Sequence, residues 1–115
     1  MINIHGGAFM LGDSRMISMP QVADCLQRGW IVVAPNHRLC PQLDIRDGPL
    51  TDIRDCLAWV YAGGGGGGGL GGFLESNSGN YRVDAQRVMA FGTSSGGMLA
   101  LGLVSYHSLS IQAFS

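Results

Sequence analysis

Residues 88–100 read VMAFGTSSGGMLA, and the fold follows from how that stretch divides. Val88 to Phe91 is an apolar run of strand length, of the kind buried in a sheet. Met98 to Val104 is an apolar helix. Between them Gly92-Thr93-Ser94-Ser95-Gly96-Gly97 sets a serine in a sharp turn from strand to helix. The flanking glycines let two chain segments pass closely without a β-carbon between them. The helix that follows points its amino-terminal amides and the positive end of its dipole back at the turn. Negative charge developing on a substrate oxygen is stabilised there by the Ser95 N–H. The pattern therefore reads as a nucleophilic serine, Ser94. Taken alone, the pentapeptide also fits a plain strand–loop–helix junction.

A second glycine segment lies far upstream. Met1 to Ile4 is a short apolar strand that ends in His5-Gly6-Gly7-Ala8-Phe9. Such a loop exposes backbone N–H groups. If the first strand neighbours the strand at 88–91, about 4.8 Å away, the two loops meet at one edge of the sheet. The N–H groups of Gly7 and Ala8 then join that of Ser95 around one oxygen, as acyl transfer requires.

The segments between these motifs alternate. Ser18 and Pro20 open a helix that Gly29 closes. Trp30 to Ala34 (WIVVA) reads as a strand buried on both faces. Ile53, Cys56, Leu57 and Val60 fall at helical spacing, so a second helix spans about Thr51 to Tyr61. Gly63 to Gly72, interrupted only by Leu70, reads as a flexible insertion, because glycine loses the most backbone entropy on ordering. The order β-α-β-α-β-α implies an α/β fold of three parallel strands with helices on both faces. Ligands on such sheets bind beyond the carboxyl ends of the strands, where both glycine motifs lie.

At this point the chain resembles the α/β-hydrolase fold-3 group, the esterases and lipases similar to hormone-sensitive lipase. IHGGAF resembles the H-G-G-G oxyanion motif. WIVVAPNHRLCPQ resembles the segment V-V-x-x-x-Y-R-L-A-P-E, and DIRDCLAWV the helix with D-x-x-x-A-L-x-W. VDAQRVMAFGTSSGGMLA resembles the nucleophile elbow D-x-x-R-I-x-x-x-G-x-S-A-G-G. The resemblance implies a partial α/β-hydrolase domain over 1–115. It implies carboxylic-ester hydrolysis, with Ser94 as nucleophile and Gly7, Ala8 and Ser95 as oxyanion-hole donors. His5, Gly6, Gly92, Gly96 and Gly97 support those motifs. It also implies that the first strand lies between the other two. Ala8 stands where the family has glycine, His37 where it has tyrosine, and Ser95 where it has alanine.

In that family the acid and the histidine follow the serine. Residues 95–115 hold no Asp or Glu and one histidine, His107. At the far end of a helix it lies about 20 Å from the turn. His5 and His37 read as loop braces, and Asp52 and Asp55 lie on a helix before the serine. The expectation is a fragment without the family's first strands and its acid and histidine. It would be inactive or weakly active, marginally stable and inclined to aggregate. A small-molecule binding module or pseudoenzyme of the same family is the alternative. A nucleotide-binding unit is disfavoured because HGGAFMLG is not G-x-G-x-x-G and no acid closely follows Ala34.

Composition limits the partners. Only 13% of residues are charged, and the net charge is −1, from seven arginines and no lysine against eight acids. No basic patch invites nucleic acid, and no run reaches the ~20 apolar residues of a membrane span. Cys25, Cys40 and Cys56 show neither metal-ligand nor disulfide rhythm. MINIHGGAF is not a secretory signal, so the cytoplasm is the expected compartment. No cofactor and no metal is expected; the expected partner is a small-molecule ester.

Overall fold

The computed structural model describes residues 1–62, 68–77, 81–106 and 111–114. Its elements are β1 (Ile2–Ile4), α1 (Met19–Gln27), α2 (Thr51–Tyr61), α3 (Gly69–Asn77), β2 (Val88–Gly92), α4 (Ser95–Tyr106) and β3 (Ile111–Phe114). The strands form one parallel sheet in the order β1-β2-β3, with Ile2 beside Ala90 and Ala90 beside Ala113.

Local sequence explains the helices. The Ser18 side chain accepts from the Gln21 N–H at 3.4 Å, and Pro20 sits in the first turn of α1. The helix closes where Gly29 takes φ +77°. There the Gly29 N–H donates to Leu26 O and the Trp30 N–H to Cys25 O, each at 3.0 Å, which satisfies two terminal carbonyls. A wide π-type turn, Arg46–Leu50, runs into α2, which buries Ile53, Leu57 and Val60 along one face.

The core joins that face to Ile2 and Ile4 of β1, Val88 and Ala90 of β2, and Leu99, Ala100 and Leu103 of α4. Strand alternation sets which side of β2 contributes. Val88 and Ala90 are buried, whereas Met89 and Phe91 are half-buried. Leu99 and Leu103, one helical turn apart, are fully covered, and Met98 and Leu101 on the same helix are exposed.

Several expectations need correction. The stretch 30–34 is not a regular strand buried on both faces. It makes one parallel bridge, Val33 to Ile2, and Trp30 is 41% exposed. The Asn3 N–H donates to Val33 O at 2.8 Å and the Val33 N–H to Met1 O at 2.9 Å. The segment thus lies at the sheet edge beside a three-residue strand, which offers too few partners to extend the ladder. Residues 69–72, read as part of a flexible insertion, begin α3. Leu70 is buried in the core there and overrides the low helix propensity of its glycine neighbours. Positions 63–67 lie outside the described residues, as does His107. The strand β3 was not anticipated.

Candidate active site

Chain order and sheet order together locate the site. From β1 the chain first adds Val33 on one side of the sheet, then returns to add β2 on the other. Strand order therefore reverses between β1 and β2, and the crevice beyond their carboxyl ends is where α/β sheets take ligands. His5–Phe9 leaves β1 at that end, and Thr93–Gly97 leaves β2.

Both loops hold unusual backbone. Ser94 has φ +53°, left-handed and rare outside glycine. The turn is closed by the Gly96 N–H to Thr93 O at 2.9 Å and the Gly97 N–H to Ser94 O at 3.0 Å. Gly7, Ala8 and Phe9 have φ +133°, +54° and +64°. Ala8 adopts the left-handed region despite its β-carbon. The Met10 and Leu11 N–H groups both donate to Gly7 O, at 3.0 and 3.1 Å, and Cys40 N–H to Phe9 O at 2.7 Å. Such over-determined strain characterises functional loops.

The two loops touch. A β-carbon added at Gly6 would sit 2.8 Å from Thr93 O and 3.3 Å from the Ser94 β-carbon. One added at Gly96 would overlap Ile4 O and lie 2.6 Å from His5 O. One at Gly92 would overlap the Gly96 carbonyl. Among the described residues, the N–H groups of Gly7 and Ala8 donate to no backbone acceptor. Ser95 is the first residue of α4, so its N–H precedes the intrahelical ladder.

Ser95 also carries a buried Oγ with no hydrogen-bond partner among the described residues. An unsatisfied buried hydroxyl is destabilising. Ser95→Ala is expected to raise stability by about 1 kcal/mol while keeping the backbone N–H, as read by chemical denaturation. A loss of stability would show that the hydroxyl has a partner.

Beneath the first loop lie two stacked imidazoles. The His5 and His37 rings are 4.3 Å apart between centroids and 6° from parallel. Both residues are buried. His5 Nδ1–H donates to Gly6 O at 2.8 Å and His37 Nδ1–H to Arg38 O at 2.9 Å, which leaves each Nε2 as an acceptor. Neither Nε2 has a hydrogen-bond partner among the described residues, although the His5 backbone approaches the His37 ring. Burial pushes the His37 pKa below its ordinary value, against the opposing pull of the Arg38 carbonyl and the Asp52 carboxylate. Each histidine read alone as a loop brace; their mutual contact had no signal in sequence spacing.

Arg38 grips Asp52 at the start of α2 through two nitrogens, Nη2 to Oδ1 at 2.9 Å and Nε to Oδ2 at 3.1 Å. Its backbone N–H adds a bond to Oδ2 at 2.6 Å. Burial pushes the Asp52 carboxyl up, but these bonds and the Arg38 charge outweigh it, so it titrates below its ordinary value of 3.8. A depressed carboxyl contributes stability above its unfolded value and loses it as pH falls through the folded one. Asp52→Asn is expected to lower the thermal midpoint at pH 7 and to flatten its decline below about pH 4. Parallel acid limbs for wild type and variant would remove this bond from the account.

Other groups are set apart from the chemistry. Burial pushes the Cys56 thiol up to about 11, which makes it a poor nucleophile near neutrality. Among the described residues no group of three or more His, Cys, Asp or Glu is placed to hold a metal ion. None of their helices is long and apolar enough to cross a membrane. A cavity of about 550 Å³ lies at the opposite, amino end of the strands, between Trp30, Ile31, Arg82, Arg87 and Val88. It is remote from Ser94 and does not belong to this site.

A parallel sheet whose strand order reverses beside a serine on a left-handed strand-to-helix turn defines an α/β protein of the hydrolase type. The family comparison agrees: the profile described as alpha/beta hydrolase fold matches residues 1–110, and the chain belongs to that family. It is 36% identical over 98 residues to non-reducing polyketide synthase atr1 of Stereocaulon alpinum, covering 85% of this chain. It is 34% identical to non-reducing polyketide synthase Preu6 of Preussia isomera and 31% identical to methylphloroacetophenone synthase of Cladonia uncialis, each over 87% of this chain. The chain spans 4% of the length of each of these relatives.

Proposed function

We propose that this chain carries the nucleophile and oxyanion-binding part of a serine hydrolase acting on carboxylic esters. The observation that carries the reading is the contact between Gly6 and Ser94, which unites two loops far apart in sequence. Ser94 Oγ attacks the acyl carbon, its proton passes to solvent water, and the carbonyl electrons move onto oxygen. The N–H groups of Gly7, Ala8 and Ser95 stabilise that charge. Collapse expels the alkoxide, which takes a proton from water to become the alcohol, and leaves an acyl-serine that water cleaves to the carboxylic acid and free Ser94. Among the described residues no hydrogen bond joins Ser94 to a histidine, so turnover by this chain is expected to be weak. The relatives' names, polyketide synthases, make a polyketide acyl group a substrate to test, as a thioester as well as an oxygen ester.

The test is covalent labelling by a fluorophosphonate, with mass mapping of the modified peptide, alongside hydrolysis of a short-chain p-nitrophenyl ester. Label on Ser94 supports the reading. Label elsewhere, or hydrolysis equal to that of Ser94→Ala, overturns it.

The lack of a hydrogen bond from Ser94 to a histidine among the described residues favours a second reading, a non-catalytic small-molecule binder. Under it, esters or small acids raise the melting temperature of Ser94→Ala as much as that of wild type, with no labelling of either.

A further inference from the structure

We propose that the His5–His37 stack is a proton-operated latch on the loop that carries Gly7 and Ala8, with His37 as its positioning residue. The catalytic consequence rests on the reading of that loop above; the latch itself does not.

His5 is the hinge of the loop: it follows β1 directly, and its ring is anchored to the carbonyl of the next residue, Gly6. His37 comes from a separate segment, is anchored to Arg38 O, and lies flat on His5 at 4.3 Å. Each ring thus spends its Nδ1 proton on a backbone carbonyl, and each Nε2 lone pair is buried without a partner among the described residues. A proton arriving on the His37 Nε2 creates a buried cation pressed against a second imidazole, and the approach of the His5 backbone does not offset the lost solvation. Solvation is regained only by moving the ring toward water, which breaks the stack.

The surrounding charges bear on the same proton. From the turn after Gly12, Asp13 faces His5, and its carboxylate is already paired with Arg15 at 2.7 Å. From α2, Asp52 faces His37 and is paired with Arg38 at 2.9 Å. The Asp52 carboxylate favours a His37 imidazolium, but Arg38 is closer to it and burial prevails. The neutral His37 ring therefore contributes stability above the ordinary histidine value of 6.5 and loses it as pH falls through the lower folded value. Gly6 and Gly7 move with it, because the His5 ring holds the Gly6 carbonyl.

Amide hydrogen exchange on the full chain tests this. Protection at residues 6–12, corrected for intrinsic rates, is expected to fall about tenfold or more between pH 7.5 and 5, while that of the α2 amides holds. His37→Tyr keeps an aromatic face and removes the titrating group; its loop protection is expected to change less than about twofold over that range. An equal fall in the Tyr variant, or no fall in wild type, overturns the latch. Should the variant not fold, NMR titration of the wild-type ring protons decides. Coupled titration of the two rings supports the latch, and independent titration overturns it. Fluorophosphonate labelling of the same samples separates the two ideas: a pH-dependent loop without labelling retains the latch and refutes the hydrolase reading.

Discussion

Gly96→Ala is expected to abolish the folded state. The added β-carbon would overlap Ile4 O and come within 2.6 Å of His5 O and 2.9 Å of His5 C. All three are backbone atoms at or just past the end of β1, so no side-chain rotation relieves the clash. The first turn of α4 would have to lift off β1, which breaks the contact between the two loops and uncovers Leu99 and Leu103. Overpacking of this kind costs about 3 kcal/mol or more, a large share of the 5–15 kcal/mol of a typical domain. Gly29→Ala is the control. Its β-carbon meets nothing within 4 Å, and only the left-handed φ of +77° resists it, for about 1 kcal/mol. Denaturant titration of both variants gives the comparison. A Gly96→Ala protein as stable as Gly29→Ala would refute the proposed packing of elbow against β1.

Substitution of Ser94 is expected to separate chemistry from stability. Ser94→Gly removes the only side chain proposed to attack and relieves a residue held at φ +53°. Labelling by the fluorophosphonate should fall at least about a thousandfold, the scale of losing a serine nucleophile. At the same time the domain should gain about 1 kcal/mol, because glycine occupies that region without strain. Ser94→Ala should lose the label equally and gain little, since alanine retains the β-carbon. The predicted order of melting temperature is therefore Gly above Ser and Ala. If Ser94→Gly melts below wild type, the turn is held by the serine side chain rather than despite it.

Much of this was legible from residues 88–100 and 5–9. The amphipathic spacing of Ile53, Leu57 and Val60 marked α2 from Thr51 to Tyr61, and Ser18, Pro20 and Gly29 bracketed α1, because caps and periodicity are local properties. The stretch WIVVA misled for the same reason. An apolar β-branched run reads alike whether it is central or, as here, bridged at one residue on an edge. The glycines at 69–72 misled in the opposite direction: propensity disfavours a helix, but burial of Leu70 against the core decides.

The sequence alone determined the class of fold, the family and the two loops worth watching, because each is written in contiguous residues. Periodicity could not determine that β1 sits between Val33 and β2, which only the family resemblance implied, since strand order is a matter of which segments neighbour one another in space. That arrangement brings Gly6 against Ser94, a contact made only by tertiary packing. The stacking of His37 on His5 belongs with it: two rings from separate segments became one buried unit, and no spacing along the chain encodes a contact that exists only after the sheet has formed.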